Sequence, residues 1–408
     1  MSDKLLEYAK VIVKVGVNLQ ESQTLIISCP IECAHFGRMV AKEAYDAGAK
    51  EVIFRWNDDQ TIRMKYLYAQ DDVFDEIPDW LKTFYYEYAD KKAALVSISA
   101  SDPEYLKGVD PDRLRRNSIA SGKELSKYFD MQMRGDFPWC VVSIPTQSWA
   151  AKVFPNIPIE EAMDKLWDAI LSAVRITGDG MSISKWQAHV DKIEKLTTKM
   201  NDFKFSKLVL KNSLGTDLTV ELHEKAKWVG IGEVAGTGQH FVANMPSEEI
   251  FTLPLKNGVN GTICSSIPLS LDGTLVKDIR FTVEAGKIVD ATASEGLDVL
   301  LKKLDVDEGA RYFGEIALVP FNSPISNMGI LFYNTLFDEN ASCHFAFGKA
   351  YPAFTDAAEL SSDDLIARGA NDSFIHIDFM FGTPDLSITG FTKDGQSIPV
   401  FINGDFAF

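Results

Sequence analysis

The hydrophobic pattern of this chain changes in kind near residue 190. Before that point, helical stretches alternate with short apolar runs such as "TLIISC" (24–29), "EVIFRW" (51–56), "AALVSISA" (93–100) and "WCVVSI" (139–144). Beyond about residue 205, alternating segments are joined by turns that contain glycine, and only "LDVLLKKLDVDEGARYFGE" (297–315) is clearly helical. Continuous apolar strands between helices predict a parallel sheet with both faces covered. The alternating segments predict antiparallel hairpins.

We therefore predict two domains in this chain of 408 residues, which is too long for one ordinary core. Residues 1–190 are expected to form an α/β domain with a parallel sheet. Residues 191–408 are expected to form a mostly antiparallel, β-rich (α+β) domain.

Composition excludes several classes of function. A net charge of −17 argues against a nucleic-acid partner, because a phosphate backbone selects basic surfaces. No apolar run approaches the length of a membrane span, and the N-terminal stretch has no signal-peptide core. These features predict a cytoplasmic protein without membrane contact.

The cysteines follow neither a disulfide nor a zinc pattern. They form an odd, scattered set without a C-x-x-C pair, which predicts buried, reduced thiols. The set is Cys29, Cys33, Cys140, Cys264 and Cys343. Cys343 precedes His344, but adjacent residues of an extended chain point apart, so a catalytic Cys/His pair is not predicted.

The sequence does not contain a complete copy of three common catalytic motifs. "HEKAK" (223–227) has a lysine where the zinc motif H-E-x-x-H needs its second histidine, so His223 is predicted to be a surface residue. "GIGEVAGTGQ" (230–239) lacks nucleotide-loop spacing and predicts a flexible loop that lines a cleft. No G-x-S-x-G elbow is present, which weakens the case for a serine hydrolase. His35 and His189 are predicted to be packing or surface residues.

One apolar run, "SFIHIDFMFG" (373–382), carries a charge that needs an explanation. His376 and Asp378 are two residues apart, so in a strand both point to the same face. A buried, unpaired carboxylate is costly. Either the two side chains form a hydrogen-bonded pair in a core, or they bind a metal.

Similar side chains recur in three other segments of the second half. Each segment alone has a structural explanation, such as a solvated edge, a helix terminus or a satisfied core histidine. Carboxylates that converge repel one another unless cations lie between them. Two imidazoles with about three carboxylates suit two divalent ions that share a carboxylate and a water. The segments are "NMPSEEIFTLP" with Glu248 and Glu249, "ARYFGEIALVPF" with Glu315, and "FDENASCHFAFGKAYP" with Glu339, His344 and Tyr351.

Over essentially its whole length, the sequence resembles the metallopeptidase family of aminopeptidase T, aminopeptidase S and PepS. The resemblance is densest in "NMPSEEIFTLP", "DEGARYFGEIALVP", "SPISN", "FYNTLFDENASCHFAFGKAY" and "NDSFIHIDFMFG". It implies a two-domain enzyme that carries two divalent ions in its C-terminal domain and removes N-terminal residues from peptides.

The resemblance also implies a site. Matching the motifs gives Glu249 rather than Glu248 as a ligand and Glu315 as the bridging carboxylate. Glu339 matches a further polar position near the metals, as a ligand or as the general acid or base, and Tyr351 is a candidate donor to the oxyanion. The implied metal ligands are Glu249, Glu315, Glu339, His344, His376 and Asp378. Zinc, cobalt, manganese and magnesium stay open as the two ions.

The expected reaction is hydrolysis by a water activated between two cations, with the free α-amine of the substrate bound by metal or carboxylate. The resemblance further implies a homodimer whose first domain roofs the site, so that only short peptides with free N-termini are accepted. A helix with Phe84, Tyr85, Tyr86 and Tyr88 has apolar character on more than one face, in line with an interface. Two alternatives are a two-metal hydrolase of another bond, such as a phosphoester, and a small-molecule-binding protein that uses its parallel-sheet crevice.

Overall fold

The first half of the chain is built on a parallel sheet, as predicted. The structure is a computed structural model that describes residues 1–408, apart from the side chain of residue 358. The sheet has four strands in the order β2-β1-β3-β4, and all neighbours are parallel. The strands are β1 (Thr24–Pro30), β2 (Glu51–Asn57), β3 (Ala94–Ile98) and β4 (Trp139–Val142).

Helices connect these strands and lead out of the first half. Their ends follow ordinary capping chemistry. For example, the Asp110 side chain accepts a hydrogen bond from the Asp112 N–H, and Pro111 opens the helix that follows. The helices are α1 (Ser2–Val11), α2 (Ala34–Asp46), α3 (Asp59–Tyr68), α4 (Asp79–Asp90), α5 (Pro111–Glu124), α6 (Ser126–Met133), α7 (Gln147–Val153), α8 (Ile159–Ala173) and α9 (Ser182–Phe203). Because α9 runs across residue 190, the domain boundary stays a prediction.

The second half is largely antiparallel, again as predicted. Its strands are β5 (Phe205–Lys211), β6 (Asp217–Glu221), β7 (Gly232–Val234), β8 (His240–Val242), β9 (Ile250–Thr252), β10 (Val259–Cys264), β11 (Leu269–Leu271), β12 (Thr274–Val276), β13 (Arg280–Glu284), β14 (Lys287–Thr292), β15 (Phe313–Leu318), β16 (His344–Gly348), β17 (His376–Met380), β18 (Ser387–Thr392), β19 (Ser397–Ile402) and β20 (Asp405–Phe406). Its helices are α10 (Leu297–Leu304), α11 (Thr335–Asp338) and α12 (Ser362–Ala367).

These strands form two main sheets and two hairpins. One sheet has the order β14-β13-β10-β6-β5-β18-β19-β20, and the other has the order β17-β16-β15-β9. The hairpins are β11–β12 and β7–β8. The β7–β8 hairpin corrects one prediction, since residues 230–239 were expected to form a flexible loop, whereas Gly232 pairs with Val242 and Val234 with His240.

An aromatic core joins the two sheets of the second half. The ring centroid of Phe281, on β13, lies 5.1 Å from that of Phe379, on β17. The Phe313 and Phe345 rings of the smaller sheet also lie 5.1 Å apart. In β16, "HFAFG", the period of two sends its phenylalanines into this core and its other residues to the opposite face. That opposite face holds the candidate site.

Two further predictions concern the whole chain. All five cysteines are buried and free, as expected for reduced thiols. Across the residues that the structure describes, no helix combines the length and the apolarity required to cross a bilayer.

Candidate metal centre

Strands β15, β16 and β17 place charged side chains on one face of the smaller sheet. Glu315 of β15 pairs with Ala346 of β16, which pairs in turn with Asp378 of β17. His376 pairs with Gly348 in the same way. The middle strand therefore contributes very small residues between the charged ones, and the space above them stays open.

His344 begins the middle strand and shares this face, two residues before Ala346. Cys343 turns away, because its Sγ lies 3.2 Å from the carbonyl oxygen of Val319. The adjacent cysteine and histidine are thus not a catalytic pair, as the extended backbone predicted.

Both histidines are oriented by the backbone. Nδ1 of His344 lies 3.0 Å from the carbonyl oxygen of Ser342, and Nδ1 of His376 lies 2.7 Å from that of Lys349. A carbonyl oxygen only accepts, so each Nδ1 carries a hydrogen and each Nε2 is left to face the site. This is the usual arrangement of metal-binding histidines.

The Lys349 carbonyl can reach His376 because of a glycine. A Cβ on Gly314 would lie 2.3 Å from that carbonyl oxygen, which is far inside contact distance. The "GE" of the sequence thus has two functions. The glycine lets the orienting carbonyl approach, and Glu315 supplies the carboxylate.

The Nε2 atoms converge on carboxylate oxygens. Nε2 of His344 lies 2.9 Å from Oε2 of Glu249 and 3.7 Å from Oε1 of Glu315. Nε2 of His376 lies 3.6 Å from Oε2 of Glu315 and 3.6 Å from Oδ1 of Asp378. The two oxygens of Glu315 therefore face different imidazoles.

Two of these oxygens lack hydrogen bonds. Among the described side chains, Oε2 of Glu249 and Oδ1 of Asp378 are buried without a hydrogen-bond partner. The contact of 2.9 Å between Glu249 and His344 is close, but its geometry does not make a hydrogen bond. Ligand atoms of Glu249, Glu315 and His344 lie within 4.8 Å of one another, so these residues fit a cation.

The electrostatics of the cluster also call for a cation. Burial, together with the carboxylates of Asp378 and Glu249, raises the pKa of Glu339 well above its usual value. Burial likewise raises the pKa of Glu315, although His344 opposes the shift. Burial alone would lower the pKa of His344, but its contacts with Glu249 and Glu315 outweigh that effect and raise it. Without metal, the cluster therefore retains protons that a cation would displace.

Glu339 and Tyr351 lie beside the ligands. Glu339 begins a short 3₁₀ turn, Glu339–Ala341, directly after α11, and it is buried. The Tyr351 ring is edge-on to His376 with 5.1 Å between centroids, and burial raises the pKa of its phenol well above the usual value. Tyr351 therefore keeps its proton and can donate it in a hydrogen bond.

The seven predicted site residues, which are the six implied ligands and Tyr351, all line one cavity of about 540 Å³. The first half of the chain contributes to the same cavity. Ser99, Ser101 and Asp102 follow the carboxyl end of β3, which is where parallel sheets bind ligands. That position is a usable signal, but sequence reasoning did not identify these residues.

Glu233 was also missed. It lies on the β7–β8 hairpin and lines the cavity, and burial together with the charge of Glu249 raises its pKa to about 7. Its glycine-rich surroundings gave no sign of a carboxylate in the cavity lining.

Other charged candidates lie outside the cluster. Glu248 forms an ion pair with Arg175, and Nε2 of His189 lies 2.8 Å from the carbonyl oxygen of Ser247. His189 is thus a buried packing residue, within the range of roles predicted for it. His223 packs edge-on against Phe354, away from the site, and is only half-buried.

Comparisons with known proteins identify the family of this chain. The family model "Thermophilic metalloprotease (M29)" matches residues 1–406. The chain is 42% identical to aminopeptidase 2 of Geobacillus stearothermophilus over 99% of this chain and 98% of that protein. It is 41% identical to aminopeptidase AmpS of Bacillus subtilis (strain 168) over 100% and 99% of the two chains. The solved structure of wild-type AmpT from Thermus thermophilus superposes with a TM-score of 0.90 at 34% identity, with both chains fully covered.

Proposed function

The chain belongs to the thermophilic metalloprotease (M29) family and is a metallo-aminopeptidase, and from that premise we propose that it cleaves short peptides with the help of two metal ions. Its buried group of Glu249, Glu315 and His344 is able to hold a metal. The number of ions, the role of each residue and the peptide length are the substance of the proposal.

The arrangement of Glu315 carries the proposal of two ions. Its carboxylate lies between two imidazoles, with a separate oxygen 3.7 Å from His344 and 3.6 Å from His376. One ion would be held by Glu249, Glu315 and His344, and the other by Glu315, His376 and Asp378. When bound, such ions lower the pKa of a water molecule and polarise the scissile carbonyl.

The chain's own residues would do the rest. Glu339 lines the cavity beside the predicted ligands, and its raised pKa suits a group that would take a proton from the attacking water and return it to the leaving amine. The Tyr351 hydroxyl would donate a hydrogen bond to the developing oxyanion. Carboxylates that are not needed as ligands, such as Glu233, would attract the α-ammonium group of the substrate.

The charge of the cavity lining favours peptide hydrolysis over phosphoester hydrolysis. The lining holds seven carboxylates, and the described lining residues include no lysine or arginine. A phosphoester would meet repulsion and no basic clamp, whereas a peptide with a free N-terminus brings a positive charge. The acidic lining residues are Asp102, Glu233, Glu249, Asp272, Glu315, Glu339 and Asp378.

Metal analysis alongside a substrate panel tests the function. We expect two divalent ions per chain, loss of activity on chelation, and recovery when zinc, cobalt, manganese or magnesium is returned. Amino-acid anilides should be hydrolysed, whereas N-acetylated anilides and a phosphoester dye should not. A metal-loaded protein that cleaved the phosphoester dye and left the anilides intact would refute the proposal.

Substitutions test the assignment of residues. His376→Ala and Glu315→Ala should each lose bound metal and reduce the rate by orders of magnitude. His223→Ala is the matched control, because His223 lies outside the cavity lining, and it should be nearly neutral. If His223→Ala were as damaging as His376→Ala, the assignment would be wrong.

The assembly and compartment complete the proposal. Residues of the first half already cover part of the cavity, which supports a roofing function. Tyr68 and Trp80 are 80% and 71% exposed, which suits an interface between two copies. Of the four aromatic side chains predicted for that interface, Phe84, Tyr85 and Tyr88 instead line a second cavity, and Tyr86 does not. Light scattering should find a dimer, and free cysteines suit the reducing cytoplasm.

A further inference from the structure

A second cavity, here called the Arg55 cavity, lies in the first half of the chain. Its volume is about 220 Å³. Its floor is one face of the parallel sheet, and its walls are aromatic side chains of α4 and α6. The lining residues are Ile26, Ser28, Arg55, Phe84, Tyr85, Tyr88, Ala89, Ala93, Leu95, Ser97, Tyr128, Phe129, Gln132 and Phe137.

Arg55 is the charged residue of this lining, and it lacks a counter-ion. Its guanidinium lies over the Tyr85 ring, 5.2 Å from the centroid, and forms no ion pair with any carboxylate that the structure describes. Burial lowers its pKa. A guanidinium removed from water without an anion is costly, and its planar fork matches a carboxylate.

The Arg55 cavity adjoins the cavity of the metal centre. Across the sheet, Arg55 is in register with Ser28, Ser28 with Ser97, and Ser97 with Val141. Registered neighbours in a sheet face the same side, and Val141 lines the metal cavity. Gln132 lines both cavities. The two cavities therefore lie side by side over a single sheet face.

The two cavities have opposite charge. The metal cavity is lined by seven carboxylates, and the Arg55 cavity has a single unpaired cation and otherwise neutral residues. A short peptide with free termini has a positive and a negative end. Its ammonium suits the acidic cavity, and its carboxylate is repelled from there and suits Arg55.

We propose that Arg55 binds the C-terminal carboxylate of a short peptide whose N-terminal residue lies at the metal centre. This inference rests on the proposed function, since it identifies the substrate class of the same site. Arg55 thereby acts as a specificity-determining residue and makes the enzyme prefer small, complete peptides over the termini of long chains.

The register gives the expected peptide length. Neighbouring strands are about 4.8 Å apart, so the three steps from Arg55 to Val141 span about 14 Å. An extended peptide covers about 3.3–3.6 Å per residue, so at least about four residues are needed to reach from Arg55 to the edge of the metal cavity. The preference should therefore appear in peptides of about four residues and be absent from dipeptides.

The test compares peptide acids with their C-terminal amides. On the unaltered metal-loaded protein, kcat/KM for a tetrapeptide acid should exceed that for its amide by about 10- to 100-fold, the effect of a charge-assisted hydrogen bond. In Arg55→Gln the acid should fall to the level of the amide, while an amino-acid anilide is cleaved as before. Arg55→Lys should keep part of the preference, because it retains the charge without the fork.

Arg38→Gln is the control, because Arg38 is an exposed arginine of the same half and lines neither cavity. It should preserve the preference for acids. The carboxylate that binds Arg55 could belong to the peptide substrate or to a separate carboxylic acid. An N-acetylated amino acid, which is a free carboxylate, distinguishes these two sources. If Arg55 serves the substrate terminus, the free acid should compete with the tetrapeptide acid and should not alter cleavage of the anilide.

Equal kcat/KM for acid and amide on the unaltered protein would overturn the inference, as would an equal loss of both in Arg55→Gln. Calorimetric binding of the acid and the amide gives the same comparison without turnover. Failure of the proposed function looks different, because the folded, metal-loaded protein would then leave anilides and peptides uncleaved whatever their C-terminus. Acid-selective binding that depends on Arg55 would still support the site in that case.

Discussion

Glu248 and Glu249 are adjacent glutamates with different surroundings, which makes them a sensitive pair for substitution. Both are 7% exposed, so burial does not distinguish them. Glu248 pairs with Arg175, whereas an oxygen of Glu249 lies beside His344 without a hydrogen bond. We predict that Glu248→Gln lowers stability and spares the metal, and that Glu249→Gln lowers metal affinity and spares stability.

The magnitudes follow from the surroundings. Removing one partner of a buried ion pair costs about 3–5 kcal/mol. In Glu248→Gln the new amide would retain one acceptor, and Arg175 is 18% exposed and lies over the Trp186 ring, so we expect about 2–3 kcal/mol for this substitution. Glu249→Gln removes a like charge from the carboxylate cluster but also the charge that faces His344, so the two effects offset and the stability of the metal-free protein should change by less than about 1 kcal/mol. Loss of this ligand should weaken metal binding by at least about 100-fold.

Denaturant unfolding with and without metal measures both effects. For the unaltered protein, a metal concentration about 100 times its dissociation constant should add about 2.7 kcal/mol to the free energy of unfolding. Glu248→Gln should lower both curves and keep this increment. Glu249→Gln should lose the increment and keep the metal-free value. The reasoning would be refuted if Glu248→Gln lost metal at normal stability, or if Glu249→Gln unfolded without metal.

Three other predictions address the site. Gly314→Ala introduces a Cβ that displaces the Lys349 carbonyl, which orients His376. It should therefore cost about 1–3 kcal/mol of stability and weaken metal binding by about 10- to 100-fold. Denaturation and metal titration measure the two effects. Tyr351→Phe should lower kcat by about 100- to 1000-fold with metal content unchanged, as loss of an oxyanion donor does; an unchanged kcat would exclude that function. The metal-free protein should lose stability as pH rises from about 5 to 8, because the raised pKa values of Glu339 and His376 mean that the folded state holds protons that the unfolded chain releases. Stability that rose over this range in chelator would contradict that assignment.

Much of the fold could be predicted because the hydrophobic patterns of its strands are local in the sequence. The apolar runs of β1 to β4 identified a parallel sheet, and alternation identified the hairpins. In β16, the sequence "HFAFG" even separates the faces, since Phe345 and Phe347 enter the aromatic core while His344 faces the site. The motif resemblance located the remaining residues around the cavity.

What escaped prediction depends on contacts between distant segments. Glu233 joins the cavity lining only when the β7–β8 hairpin folds over the cavity, and no local sequence pattern indicates that approach. The β7–β8 hairpin was not predicted because glycine has a low β propensity, whereas strand pairing depends on contacts with neighbouring strands. Arg55 is an ordinary strand residue until the register across β1 and β3 connects it to the metal cavity.

The metal cavity keeps a negative charge after metal binding, and this charge affects which peptides bind. Two divalent ions would neutralise four of the seven lining carboxylate charges, so the loaded cavity remains anionic wherever its carboxylates are ionised. The surplus lies on Glu233 and Asp102, which are not among the predicted ligands, whereas Asp272 is paired with Lys303. The same field that attracts an N-terminal ammonium repels a C-terminal carboxylate, so a peptide long enough to reach beyond the cavity gains from a cation at its far end. The sheet provides that cation in Arg55, on the edge strand β2, at the opposite side of the sheet from the strand β4 that borders the metal cavity.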